Sequence, residues 1–153
     1  MNASLRPGVV GGSGHDTLTG GEGEERIYGL EGNDSLLGGE GDDTLHGGEG
    51  DDILDGGGGR DVIVGGEGAD IFVIAPYGGG YSTIKDFELG TDKIKVPGQM
   101  WLDWYVYSLQ ERGRSGGVGP SRSFKVWSKS EGRAIGTVEY EGSLGSIAWE
   151  DLI

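Results

Sequence analysis

Residues 11–73 read GGSGHDTLT GGEGEERIY GLEGNDSLL GGEGDDTLH GGEGDDILD GGGGRDVIV GGEGADIFV. Cut every nine residues, the stretch gives seven contiguous units without an insertion, each of the form GGxGxDxUx, where U is large and apolar. Gly at positions one, two and four supplies positive φ and lacks the Cβ that would keep carbonyls away from an ion. Positions seven to nine predict a three-residue strand, its middle side chain on one face and its neighbours on the other. The middle positions are Leu18, Ile27, Leu36, Leu45, Leu54, Ile63 and Phe72, all large and apolar. The flanking positions are mixed, as in Thr17 and Thr19, Arg26 and Tyr28, or Thr44 and His46. The pattern describes a core one residue wide with a solvated exterior.

Nine residues make half a coil, so equivalent positions are expected to stack every 18 residues. Adjacent coils then lie about 4.8 Å apart, the spacing of hydrogen-bonded strands. Loops of repeats n and n+2 face each other across that gap. A gap lined by carbonyl oxygens and two carboxylates suits an ion that takes six or more oxygens at about 2.3–2.6 Å, which is the calcium pattern. Magnesium prefers a tighter octahedron and keeps its waters. Zinc would want His or Cys.

The sixth-position residues are Asp16, Glu25, Asp34, Asp43, Asp52, Asp61 and Asp70. An Asp in a Gly-rich turn is ordinarily a turn residue that bonds its own backbone. Six in register, each beside the Gly positions, favour a ligand role instead. The facing pairs 1–3, 2–4, 3–5, 4–6 and 5–7 give five candidate calcium sites. Glu25 breaks the pattern, and its extra methylene is expected to push the carboxylate of the 2–4 site out of register. The fifth-position Asp42 and Asp51 and the third-position Glu22, Glu31, Glu40, Glu49 and Glu67 are expected to point outward as solvated side chains.

On these repeats the chain resembles the RTX (repeats-in-toxin) family, whose known signature is a calcium-binding nonapeptide of a parallel β-helix. The resemblance implies an all-β fold, a parallel β-roll or solenoid of nonapeptide repeats with a β-rich C-terminal cap. It also implies that backbone carbonyls complete each calcium shell, the first and third positions of one loop with the second and fourth of the facing loop. The candidate carbonyls are those of Gly11, Ser13, Gly20, Glu22, Gly29, Leu30, Glu31, Gly32, Gly38, Gly39, Glu40, Gly41, Gly47, Gly48, Glu49, Gly50, Gly57, Gly59, Gly66 and Gly68. Which loop gives which set is open at this point. The family further implies bacterial export through type I secretion machinery, and the terminal WEDLI looks like family C-termini.

Composition fits an ion-held fold. Apolar content is 34%, and 21 of the 35 Gly lie in the repeats, so a large conventional core is not expected. The repeats carry 16 acidic residues against Arg26 and Arg60, so the whole net charge of −14 sits there. Such a segment repels itself unless cations neutralise it, and it suits neither nucleic acid nor anionic membrane. Without Cys there is neither a disulfide nor a thiolate metal site. No apolar run reaches membrane-spanning length. Residues 1–10 are too short and polar for a secretory signal peptide, so any export address is expected elsewhere.

Outside the repeats, residues 1–10 read as an N-terminal cap, with Val9 in register with the later apolar positions. The Asn2-Ala3-Ser4 sequon is read as a chance occurrence. Residues 74–95 read as a decayed eighth repeat and a closing segment. In GGGYSTIK, Ser82 stands where Asp belongs and Ile84 takes the apolar position. DFELGTDKI resembles the segment that closes β-rolls of the family. There Asp86 and Asp92 are either a late calcium site or turn residues. Residues 96–153 hold all four Trp and read as a capping and secretion-signal region. In it, MWLDWYVYSLQ is a strand or short helix, and SFKVWS, KSEGR and AIGTVEYEG form strand, turn and strand.

No catalytic constellation stands out. His15 and His46 occupy outward positions, and there is no P-loop, HExxH or G-x-S-x-G. A glycosidase needs a carboxyl in an apolar pocket, which the repeats do not offer. The expected function is therefore a non-enzymatic calcium module, secreted and extracellular, that folds on binding about five calcium ions. The alternative is a module for an extracellular polysaccharide, with Arg112, Arg114, Arg122, Lys125 and Trp127 as the candidate surface. An ice-binding solenoid is disfavoured, because positions seven and nine show no regular Thr ladder.

Overall fold

The computed structural model describes residues 8–74, 80–97, 104–107, 122–128 and 133–140. Every described element is a strand: β1 (Val9–Val10), β2 (Thr17–Thr19), β3 (Arg26–Glu31), β4 (Ser35–Glu40), β5 (Thr44–Glu49), β6 (Ile53–Gly58), β7 (Arg60–Glu67), β8 (Ile71–Val73), β9 (Tyr81–Phe87), β10 (Lys93–Lys95), β11 (Trp104–Tyr107), β12 (Arg122–Ser128) and β13 (Arg133–Tyr140). Strands alternate between two sheets. One has the order β1-β3-β5-β7-β9-β13-β12-β11, the other β10-β8-β6-β4-β2. Parallel neighbours normally need a long crossover. Here each crossover is a short loop and a strand of the opposite sheet, which is the geometry of a parallel β-roll.

The register repeats as the nine-residue unit demands. Ile27 pairs with Leu45, Leu45 with Ile63, and on the other sheet Leu18 with Leu36 and Leu36 with Leu54. Val9 pairs with Ile27, so β1 joins the first sheet as a strand of its own. Strands β3 to β6 are six residues long rather than three. Pairing runs on through the loop, with Leu30 opposite Gly48 and Glu31 opposite Glu49. Loops stack as closely as strands do, because their Gly residues leave no Cβ to hold them apart.

The middle positions form a single apolar file. Ile27, Leu45, Leu54, Ile63 and Phe72 are fully buried, Leu36 nearly so, and Leu18 packs half-buried at the open N-terminal end. The flanking residues face out, as Ile53 and Leu37 show at 44% and 40% exposure. Tyr28 and His46 stack outside at 5.1 Å.

After repeat seven the period stretches. Ile63 pairs with Ile84 and Asp61 with Ser82, so the decayed repeat keeps its register across three extra residues. Phe72 pairs with Ile94, four residues late. β13 then pairs parallel to β9, and β12 and β11 extend that sheet antiparallel. Ile74, Phe87, Ile135 and Val138 continue the apolar file, with the Phe72 and Phe87 rings 5.9 Å apart. Among the described residues no helix is long and apolar enough to cross a membrane. Asn2, Arg112, Arg114 and the terminal WEDLI lie outside the described residues.

Candidate metal centre

Each repeat turns between the sheets at positions one to six, which brings the sixth-position acids into two files, one along each edge of the roll. Asp34, Asp43, Asp52, Asp61 and Asp70 are 1–2% exposed. Their two oxygens have different fates. Oδ1 accepts the backbone N–H of the sixth residue one coil earlier: Asp16 N donates to Asp34, Asp34 N to Asp52 and Asp52 N to Asp70, at 2.8–2.9 Å. The other edge repeats this, from Glu25 N to Asp43 at 2.8 Å and from Asp43 N to Asp61 at 3.2 Å. The Oδ2 atoms of Asp34, Asp43, Asp52, Asp61 and Asp70 are buried without any hydrogen-bond partner.

The main chain around each orphan oxygen explains the Gly positions. An added Cβ on Gly29 would run into Asp34 Oδ2 and the Gly47 carbonyl one coil on. Gly38 and Gly47 face the same arrangement, with Asp43 Oδ2 and the Gly56 carbonyl, and with Asp52 Oδ2 and the Gly65 carbonyl. At positions two and four the left-handed Gly48 and Gly50 (φ +129° and +120°) abut the carbonyls of Leu30 and Gly32 from the coil before. The loop geometry thus divides the carbonyls. The earlier loop presents positions two and four, and the later loop presents position one.

Between repeats 3 and 5, Asp34 Oδ2 and the Gly47 carbonyl both crowd Gly29, Asp52 Oδ1 accepts Asp34 N, and the carbonyls of Leu30 and Gly32 face Gly48 and Gly50. Among the described residues no three His, Cys, Asp or Glu side chains converge on one point. Any cation held here is held mostly by the main chain, a hard oxygen set that suits calcium better than zinc. Five buried carboxylate oxygens without partners are not tolerated in a chain that leaves them bare. The residues present therefore fit a divalent oxygen-seeking ion.

Electrostatics agree. Burial, reinforced by neighbouring acids, pushes Asp52 up to about 6 and Asp61 and Asp70 up to about 7. Asp43 and Asp92 are raised for the same first reason.

The first coil differs. Gly12 N donates to Asp16 Oδ2 at 2.6 Å, and Gly21 N to Glu25 Oε2 at 3.0 Å. Each of these acids is turned onto its own loop. Glu25 stays in the file through its backbone, while its longer side chain sets Oε2 3.2 Å from where a Gly20 Cβ would be, against 2.7 Å for Asp16 Oδ2 and Gly11.

Two features escaped the sequence reading. Asp42 and Asp51 are exposed, as expected, but they are not merely solvated. Asp42 Oδ1 accepts Arg60 N and Asp51 Oδ1 accepts Ala69 N, each at 2.8 Å. Asn33 Oδ1 accepts Asp51 N at 3.1 Å, and His15 Nδ1 lies 3.0 Å from Asn33 N. Position five thus clips consecutive coils on the outside. The signal was visible as Asp or Asn recurring at that position. Second, both Asp86 oxygens accept N–H groups, from Gly65 and Gly66 at 3.0 Å. Asp92 Oδ1 accepts Asp70 N at 3.0 Å, and its Oδ2 accepts Glu88 N at 2.8 Å. Glu22, Glu31, Glu40, Glu49 and Glu67 are exposed, as expected. Of the candidate polysaccharide surface, Arg122, Lys125 and Trp127 lie on β12.

A family model described as the RTX calcium-binding nonapeptide repeat (4 copies) matches residues 9–36 and again 37–72. Among solved structures, the chain is similar to two subunits of the mannuronan C5-epimerase of Azotobacter vinelandii. For AlgE6R3 the identity is 28%, covering 96% of this chain and 84% of that one, with a TM-score of 0.37. For AlgE6R2 it is 27%, covering 96% and 92%, with a TM-score of 0.35. The extracellular lipase LipA of Serratia marcescens matches at 14% identity over 94% of this chain and 39% of that one, with a TM-score of 0.38. No curated protein sequence matches the chain.

Proposed function

From the premise that residues 9–72 belong to the RTX calcium-binding nonapeptide repeats, we propose that the chain is a calcium-responsive module that folds when it meets the ion outside the cell. The observation that carries this reading is the file of buried, unpartnered Oδ2 atoms from Asp34 to Asp70. Without a cation each is a desolvated oxygen with no partner, close to further acids. With one, the ion's binding free energy becomes folding free energy.

The reading is best supported between repeats 3 and 5, 4 and 6, and 5 and 7, where two acids, close-packed Gly and an unpartnered oxygen occur together. Glu49, Gly58 and Glu67 stand at the third position of the later loops, where the family pattern adds a carbonyl, and each of these carbonyls already accepts an N–H of the earlier loop, from Gly32, Gly41 and Gly50 at 2.7–2.9 Å. At 1–3 and 2–4 an ion has to displace Gly12 N–H from Asp16 or Gly21 N–H from Glu25, so these are the weaker of the five. Extracellular calcium modules bind at about 10⁻⁴–10⁻³ M. At that affinity the chain stays unfolded during passage through a type I secretion channel and folds on arrival. Calcium supplies the cross-links; no residue of this chain is assigned a catalytic role.

The test is a calcium titration of the chelator-treated chain followed by circular dichroism. A cooperative gain of β signal near millimolar calcium is expected. A chain equally folded in chelator would remove the proposal.

A further inference from the structure

Each acid file has a neighbour that runs the other way. In the acid file the earlier coil donates: Asp34 N to Asp52 Oδ1, Asp43 N to Asp61 Oδ1 and Asp52 N to Asp70 Oδ1. One residue earlier in the repeat, at position five, the later coil donates: Asp51 N to Asn33 Oδ1, Arg60 N to Asp42 Oδ1 and Ala69 N to Asp51 Oδ1, at 2.8–3.1 Å. The two bonds close a reciprocal clasp between repeats 3 and 5, 4 and 6, and 5 and 7. Between repeats 1 and 3, Asn33 N donates to His15 Nδ1 at 3.0 Å while Asp16 N donates to Asp34 Oδ1. Between repeats 2 and 4 the clasp is half made. Glu25 N donates to Asp43 Oδ1, but among the described residues no bond joins Asp42 N to Glu24.

We infer that position five is a positioning residue for the calcium sites, and that it needs a hydrogen-bond acceptor at the δ position of its side chain. Asn, Asp and His carry one there; the carboxylate oxygens of Glu24 lie one bond further out. The inference rests on the calcium reading of the repeats. His15, Asn33, Asp42 and Asp51 are exposed and act on an ion only through the loop they hold. The clasp fixes the position-six N–H of one coil and the position-five N–H of the next. It thereby sets the stagger between facing loops of the position-four carbonyl and the position-six carboxylate, which flank the clasped residue. The acceptor sits over the position-four Gly of the next coil. An added Cβ would come 2.9 Å from Asn33 Oδ1 at Gly50 and 3.1 Å from Asp42 Oδ1 at Gly59. With Oδ1 of the acid engaged in the same clasp, Oδ2 is the atom left for the ion. A loop already held at its bound stagger loses less freedom when the ion arrives, which raises affinity.

The experiment compares the full chain as wild type, Asp42→Ala, Asp42→Asn and Glu24→Asp, by calcium titration with circular dichroism and by amide exchange in saturating calcium. Asp42→Ala is expected to raise the calcium midpoint and to cut protection of the Arg60 amide by about two- to tenfold, the range of one net hydrogen bond. Asp42→Asn loses the charge but keeps the δ acceptor, so it is expected to restore both. An Asn variant as impaired as the Ala variant overturns the inference, because charge and not the clasp would then be at work. Glu24→Asp keeps the charge and shortens the side chain by one methylene. It is expected to protect the Asp42 amide and to lower the midpoint, and this gain decides the matter even where Asp42→Ala does not fold. No change in either readout overturns the δ-acceptor rule and leaves the calcium reading intact. A wild type whose fold ignores calcium overturns the calcium reading, and this inference with it.

Discussion

At the scale of single residues, the acids are not equivalent. Asp52 faces two gaps, with Oδ1 toward repeat 3 and Oδ2 toward repeat 7, whereas Asp16 is turned onto Gly12 N. Asp52→Asn should therefore raise the calcium midpoint by roughly tenfold, about 1.4 kcal/mol. Asp16→Asn should raise it far less. Equal midpoints for the two variants would contradict the arrangement. Leu30 is the one described residue other than Gly with positive φ (+86°), and it is 47% exposed at a position that is Gly in the other six repeats. Leu30→Gly relieves a left-handed penalty of about 1–2 kcal/mol, less about 0.4–1 kcal/mol of added freedom in the unfolded chain. Thermal unfolding in calcium should show a small gain in stability. Acidity acts in a definite direction. The ion-free folded chain holds protons on Asp52, Asp61 and Asp70 up to about 6, 7 and 7, against an ordinary 3.8. Those protons favour the ion-free fold in acid, and that contribution is lost as pH rises through neutrality. Calcium needs the same groups deprotonated, so its midpoint should climb when the titration is repeated at about pH 5.5 instead of about pH 8. A midpoint that does not move would show that these acids are not the ligands.

At the scale of the element, most of the architecture could be read directly. A period of nine with one apolar residue at a constant place leaves little choice but a narrow coil, and the buried file from Ile27 to Phe72 follows from it. The acids of the candidate site were legible for the same reason. The fate of their individual oxygens was not. Whether Oδ1 meets an N–H one coil away depends on the stagger between coils, which no residue type encodes. The position-five clips of Asp42 and Asp51 depend on the same stagger, although Asp or Asn recurring at that position marked where they form. The closing segment was half legible. Ser82 and Ile84 announced a decayed repeat, but the extra residues ahead of β9 and β10 hid that Asp92 takes up the interrupted series. A narrow core also makes each coil depend on one side chain. Leu45→Ala should cost about 2–5 kcal/mol in calcium, as for a buried Leu elsewhere, whereas Leu37→Ala on the outer face should cost little. Chemical denaturation of both variants would check this, and similar losses would mean that the file is not the core.

At the scale of the whole molecule, the chain stacks identical units, each touching only its neighbours, so order should spread from one end. The later coil supplies the carboxylate that caps the earlier coil's N–H, in every bond of both acid files. Protection against amide exchange at limiting calcium should accordingly appear first near Asp70 and Asp52 and last near Asp16. The reverse order would refute that polarity. One more consequence lies in the 18-residue spacing of the paired strands. Held by its two ends and stretched, such a ribbon has no single breaking point. It should peel a winding at a time, each release paying out about 60 Å of slack, and a force trace in calcium would show a sawtooth with that tooth length.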